Sequence, residues 1–340
     1  MIEKTVFECE SEIINKVKEI YGIDIRIVKK VNRGSANIYE LDNQKYILKE
    51  FQSKYTKAKI EKEISVIKHL SKKKINVPEY IKCLDGKYSF DYKNRIIIMQ
   101  KFIEGYTIEP NTGDYKKTLE SAKILGKIVN GLEDFAYELP IIKMIYTNKG
   151  LEKSIEKYKT IISQLNHENE IDNRIIKDLK DKIDMIIEIS SKVDLYNFNK
   201  LTYKNTHGDY SIMQFIYKND KINAIIDFVS ACNMPIVWEV IRSYSYIDEN
   251  VKNGVFDIDI FVSYVKKFCK YVELNKYDLQ NMVNVYLIQI LTSTYGYKQF
   301  LSDRNNCSLL EFAFFRTNIC RYLYNNESVI TERLIQEIIN

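Results

Sequence analysis

The stretch Thr206-His207-Gly208-Asp209-Tyr210-Ser211-Ile212-Met213-Gln214, followed by the apolar run Ala224-Ile225-Ile226 and then Asp227-Phe228, decides how this chain is read. It sets one carboxylate in a tight loop and a second at the end of a buried strand. A hairpin with the turn Lys218-Asn219-Asp220 lies between them. An acid that ends a buried strand is costly unless it is paired or bound to a metal. Taken singly, Asp209 also reads as a turn residue with an Asx hydrogen bond, and Asp227 as a helix N-cap. As a pair they suit phosphoryl transfer, one orienting an attacking hydroxyl and the other holding magnesium on the phosphates. Gln214 adds an amide oxygen, a hard donor of the kind magnesium accepts.

Upstream, the periodicity predicts a helix over 3–20 and strands at 25–28, 36–41 and 45–51, the last two joined by the turn Asp42-Asn43-Gln44. A helix is expected over 56–73, a hairpin turn at Asp85-Gly86, and a strand buried on both faces at Ile96–Met99. Between the first strands lies Arg33-Gly34-Ser35-Ala36-Asn37. Its small residues suit close approach of backbone N–H groups and the Ser35 hydroxyl to phosphate oxygens, and equally suit a plain turn. Lys49 either snorkels outward or points inward to phosphates. An inward lysine needs an acid, and Glu63 is favoured over Glu61 because it shares the inward side of the helix with Ile60, Ile64 and Ile67.

After Glu104-Gly105 helical periodicity takes over, at 115–132, 151–165 and 174–192 and again towards the end. A strand-rich front and a helix-rich back predict an α+β, two-lobed chain divided into residues 1–104 and 105–340.

Composition narrows the classes. Charges of 51 Lys+Arg against 46 Asp+Glu leave only +5, with the lysines scattered among acids as on solvated helix faces. No basic stripe with interleaved aromatics marks a nucleic-acid partner. No run of about 18 apolar residues marks a membrane span, and the N-terminus has no signal-peptide layout. A cytoplasmic chain without nucleic-acid or membrane partners is expected. The six cysteines are scattered, which suggests reduced, buried, structural thiols.

Gly34-Ser35 between strands, Lys49, Glu63, the strand into Glu104-Gly105, His207-Gly208-Asp209 and Ile226-Asp227-Phe228 occur in an order that resembles the aminoglycoside phosphotransferase family, over about residues 20 to 325. That group is similar in fold to protein kinases and includes choline, homoserine, methylthioribose and macrolide kinases and spore-coat relatives. The resemblance implies a bilobal kinase-like fold, with an antiparallel sheet plus helix in front and a helical lobe with a catalytic-loop hairpin behind. It implies Asp209 as the catalytic aspartate, Asp227 and Gln214 as magnesium ligands, and Lys49 with Glu63 as the phosphate-binding ion pair. Gly34 and Ser35 would lie on the phosphates of ATP or GTP. Met99 to Phe102 would form a hinge that takes the purine through the Gln100 carbonyl and the Phe102 amide. The family usually has Asn where this chain has Gln214, so the metal or backbone must move by about a bond length. Gly208 in place of Arg before Asp209 matches the small-molecule kinases.

The implied activity is transfer of the γ-phosphoryl group to a small-molecule alcohol by a monomer or weak dimer. An aminoglycoside-like antibiotic is the first acceptor, with possible antibiotic resistance as the role. The alternatives are a metabolic kinase for an amino alcohol or sugar, or a catalytically weak, spore-coat-like binding protein. Polycationic acceptors need several carboxylates near Asp209. Asp248-Glu249, Asp257, Asp259 and Glu311 are candidates, each also readable as a solvated helix end. Tyr244, Tyr246, Tyr264, Tyr286, Tyr295, Tyr297 and Phe314 either line a pocket or fill the core. Trp238 reads as a packing anchor, and Glu239 with Arg242 as a structural ion pair.

Overall fold

The structure is a computed structural model that describes residues 3–31, 36–193 and 196–339. The residues fall into two compact units. The first comprises Met1–Ile108, Gly131–Glu138 and Met213–Ala231; the second comprises Glu109–Asn130, Leu139–Ile212 and Cys232–Asn340.

In the first unit, helix α1 (Glu10–Tyr21) precedes strands β1 (Val28–Val31), β2 (Asn37–Leu41) and β3 (Tyr46–Glu50). Helix α2 (Lys57–Lys72) and strands β4 (Ser89–Tyr92) and β5 (Arg95–Lys101) follow. The sheet is antiparallel throughout in the order β1-β2-β3-β5-β4. Ile13 and Val17 of α1 pack with Leu41, Leu48, Ile97 and Met99 of the sheet in one core. The first helix starts later than its periodicity predicts because residues 3–7 are used elsewhere. Thr5 Oγ1 donates to Glu50 Oε2 at 2.6 Å, and Ser53 N–H donates to Glu3 Oε2 at 2.9 Å. The first strand is also displaced, since the Arg26 and Ile27 amides donate to Asp42 Oδ1 and not to a ladder. Asp85-Gly86 does turn, yet the hairpin of β4 and β5 closes at Lys93-Asn94, both with positive φ.

The same unit receives the hairpin β7 (Phe215–Lys218) and β8 (Lys221–Ile225). Asn219 and Asp220 have φ of 50° and 55°, the left-handed pair a two-residue hairpin turn requires. Tyr106 and Tyr217 exchange backbone hydrogen bonds at 2.9 and 2.8 Å, which docks the hairpin on the segment after β5. Gly105 makes this approach possible: its φ is +144°, and a Cβ there would lie 2.2 Å from the Tyr217 carbonyl oxygen. Gly105→Ala is therefore expected to cost about 2 kcal/mol or more, read as a lower denaturation midpoint.

The second unit is mostly helical. Helices α3 (Tyr115–Gly131), α4 (Asn148–Ile162) and α5 (Glu170–Ser190) precede a two-stranded ribbon of β6 (Tyr203–Thr206) and β9 (Cys232–Pro235). Helices α6 (Ile236–Ile247), α7 (Ile258–Phe268), α8 (Lys276–Leu291), α9 (Tyr297–Ser302) and α10 (Cys307–Ile338) complete it. The end of α8 is capped by a buried cation. Lys182 of α5 donates to the Ile290 and Ser293 carbonyls at 2.9 and 3.3 Å, the end of a helix that favours positive charge.

Burial drives the Lys182 ammonium down to about 8. The unfolded chain then binds one proton more than the folded chain between that value and the ordinary 10.5. Stability contributed by this site therefore rises with pH across that window, by on the order of 3 kcal/mol in total. Lys182→Met should flatten that rise, which urea midpoints of both proteins at pH 7.5 to 10 will show.

Among the described residues no helix is long and apolar enough to cross a membrane. All six cysteines are free. Cys83, Cys232 and Cys320 are buried as expected, Cys269 is intermediate, and Cys9 and Cys307 are exposed, each at a helix start.

Candidate active site

In the first unit the central strand β3 carries Lys49 opposite Ile98 of β5 and Ile38 of β2. Its side chain points inward, and Nζ donates to Asp227 Oδ1 at 2.9 Å. Burial disfavours the ammonium, but Glu63 and Asp227 outweigh it and hold the lysine above its ordinary value. Glu63 of α2 is 2% exposed, whereas Glu61 faces solvent. Burial raises the Glu63 carboxyl above the usual range, and its Oε2 has no hydrogen-bond partner. The expected ion pair of Lys49 with Glu63 is thus replaced by one with Asp227. Both acids act on one ammonium, Glu63 through its charge and Asp227 also by direct contact.

Asp227 follows β8 with φ 68° and ψ 55°, a left-handed conformation that Asp and Asn tolerate better than most residues. It stands at the N-cap of the short 3₁₀ turn Phe228–Ser230, but its side chain makes no capping bond and goes to Lys49. Strain of this kind concentrates at sites of function. Gln214 lies beside it in the backbone: the Ile226 amide donates to the Gln214 carbonyl at 2.9 Å. Asp227 and Gln214 therefore offer hard oxygens from neighbouring positions. Among the described residues no three His, Cys, Asp or Glu side chains are grouped to cage an ion. That donor set fits magnesium, which keeps several waters and relies on substrate phosphates for the remaining ligands.

Of the other nucleotide residues, Gly34 and Ser35 lie outside the described residues. The segment Met99 to Phe102 needs correction as a purine site. The Met99 carbonyl accepts from Ile81 N–H at 2.8 Å, Gln100 pairs with Ile47 across β3, and the Phe102 amide donates to the Lys45 carbonyl at 2.9 Å. Sheet pairing continues past the apolar run, since residues 79–81 add to one edge of β5 and Lys45 extends β3 along the other.

In the second unit Asp209 sits in the loop that leaves β6. The ribbon is anchored at its start by buried Asp278 of α8, which accepts from Thr202 N–H and Oγ1 at 2.8 and 2.7 Å. Gly208 takes φ +79°, which turns the chain sharply and leaves the Asp209 amide donating to His207 Nδ1 at 3.3 Å. Beneath the loop, Glu239 and Arg242 project from one face of α6, three residues apart. Glu239, fully buried, accepts from the Tyr210 amide at 3.0 Å and from Thr206 Oγ1. Arg242 donates to Asp209 Oδ1 at 2.5 Å and to the Tyr210 carbonyl at 3.2 Å. Burial opposes the guanidinium charge, but Asp209 beside it prevails and raises Arg242 above its ordinary value. The side chain of Asp209 is 45% exposed, so one carboxylate edge is clamped while solvent reaches the side chain.

Glu239 and Arg242 are therefore not paired with each other, as the sequence suggested, but hold the loop separately. Sequence reasoning missed Arg242 as the partner of Asp209. The signal available was an arginine one helical turn past an acid, on a helix that immediately follows the ribbon strand.

A small antiparallel sheet with an inward lysine, a buried helical acid, and a loop aspartate held from below by a helix define a kinase-like phosphotransferase fold. The sequence pattern of the phosphotransferase enzyme family matches residues 28–257, and the chain belongs to that family, whose members are enzymes acting on an alcohol acceptor. A homoserine kinase of Zymomonas mobilis subsp. mobilis is 21% identical over 224 residues. The match covers 64% of this chain and 64% of that protein, so the chain spans under two thirds of the relative's length. Among solved structures, spectinomycin phosphotransferase in complex with ADP and spectinomycin aligns with a TM-score of 0.64 at 20% identity, over 95% of this chain and 98% of the other. An amicoumacin kinase in complex with AMP-PNP, Ca2+ and Ami aligns with a TM-score of 0.62 at 15% identity, over 93% and 94%. These two share the fold.

Proposed function

We propose that this chain is a small-molecule kinase that moves the γ-phosphoryl group of ATP or GTP to a substrate hydroxyl. The observation that carries the reading is Asp227, held left-handed after β8 with its carboxylate on Lys49 and buried Glu63 behind. Lys49 binds the phosphates, and Glu63 keeps the lysine charged and inward. Gly34 and Ser35 contact the phosphates. The chain just past Phe102, where the sheet ladder ends, takes the base. Asp227 and Gln214 would hold magnesium, which would offset the phosphate charge. Asp209 orients the acceptor hydroxyl and receives its proton as the acceptor oxygen bonds to the γ-phosphorus. The bond to the β–γ bridging oxygen breaks, and the nucleoside diphosphate departs.

The proteins similar to this chain act on antibiotics in two cases and on homoserine in another. An aminoglycoside-type antibiotic is one acceptor class to test, and turnover of it would imply resistance as the role. The homoserine kinase relative supports a metabolic amino alcohol as the second reading. A coupled ADP-release assay with spectinomycin, kanamycin, homoserine, choline and aminopropanol separates them. Asp227→Asn should remove the magnesium-dependent part of nucleotide affinity. Absence both of turnover and of magnesium-dependent nucleotide binding in the unaltered protein would sink the kinase reading.

A further inference from the structure

Most aromatic side chains of the helical unit are core: Tyr244, Tyr264, Tyr286 and Tyr297 are fully buried. Tyr246, Phe312 and Phe315 differ, for they line a cavity of about 390 Å³ together with Asn111, Arg174 and Glu311. The Tyr246 and Phe312 rings stack at 5.8 Å with 24° between planes, and Phe315 lies 6.0 Å from Tyr246. Tyr246 is one turn of α6 beyond Arg242, whose guanidinium is 5.2 Å from the Tyr246 ring and holds Asp209. The cavity wall thus begins one helical turn from the clamp on Asp209.

The charge around these rings limits what can enter. Arg242 lies over Tyr246, Arg316 over Phe312 at 5.6 Å, and Arg174 over Phe314 at 3.7 Å. An incoming cation would meet rings already engaged by guanidinium groups and be repelled by them. The lining sets Arg174 and Lys252 against one acid, Glu311. The other acids expected to meet a polycation are not among the residues that line the cavity. Asp248 caps the turn at 249–253, Asp257 caps α7, and Asp259 pairs with Arg333. The volume is at the small end for ligand sites.

Resting on the kinase reading above, we infer that this cavity takes the acceptor, and that the acceptor is a ring-bearing alcohol carrying no charge or one amine, not a polyamine sugar. Its ring lies against Tyr246, Phe312 and Phe315, and a single amine goes to Glu311. The test uses direct binding, so that it stands apart from turnover. Trp238, the only tryptophan of the chain, is one turn before Arg242 and reports on this helix. Phenyl β-D-glucoside and phenylethanolamine should change its fluorescence saturably, each with affinity at least about tenfold above kanamycin. Phe312→Ala should weaken both probes by about tenfold. Glu311→Gln, a near-isosteric change at an exposed position, should weaken phenylethanolamine by about three- to fivefold and change the glucoside by less than about twofold. Tighter binding of kanamycin, no binding of either aryl probe, or aryl binding indifferent to both variants would overturn the inference. Failure of the kinase reading shows separately, as loss of magnesium-dependent nucleotide binding.

Discussion

Asp209→Asn is expected to lower kcat by about 10²- to 10⁴-fold while nucleotide affinity stays within about twofold. The residue belongs to the ribbon loop of the helical unit and is bonded to Arg242, whereas Lys49, Asp227 and Gln214 belong to the sheet unit. Asn keeps the size of the side chain and can still accept from Arg242, so the loop should survive. It carries no negative charge and cannot take the hydroxyl proton. Calorimetric titration with nucleotide and magnesium, run beside steady-state kinetics, gives both numbers on the same preparation. An equal fall in nucleotide affinity would make Asp209 a structural residue.

The second large effect is on stability. Glu239→Ala should cost about 3 to 5 kcal/mol, because it takes the acceptor from the buried Tyr210 amide and Thr206 hydroxyl beneath the loop. Each bond to a buried carboxylate is charge-assisted, and each donor left behind bears its desolvation cost. The urea midpoint should fall with the slope unchanged. Glu239→Gln retains an acceptor and should fall less. A Glu239→Ala protein that melts with the unaltered one would mean that the loop finds other partners.

Local chemistry made much of this legible in the sequence. Asn219-Asp220 announces its turn because both residues tolerate positive φ, and the apolar run ending at Asp227 announces a buried strand that delivers a carboxylate. Glu63 could be preferred to Glu61 because helical periodicity fixes which side chains share a face. What stayed hidden depends on distant parts of the chain. Asp227 lies 178 residues from Lys49, and no pattern within either segment says that this acid, and not Glu63, will reach the ammonium. The commitment of the Phe102 amide depends on where Lys45 sits opposite it. Arg242 could be assigned to Glu239 on spacing alone, but the loop above α6 offered each a better partner.

The left-handed backbone at residue 227 has a genetic consequence. Asn is at home in that conformation as well as Asp, and one transition converts an Asp codon into an Asn codon. A single nucleotide change can thus remove the carboxylate proposed to hold magnesium without disturbing the hairpin that carries it. In a population of such genes, Asn at this position would mark copies that still fold and express but have left the catalytic trade.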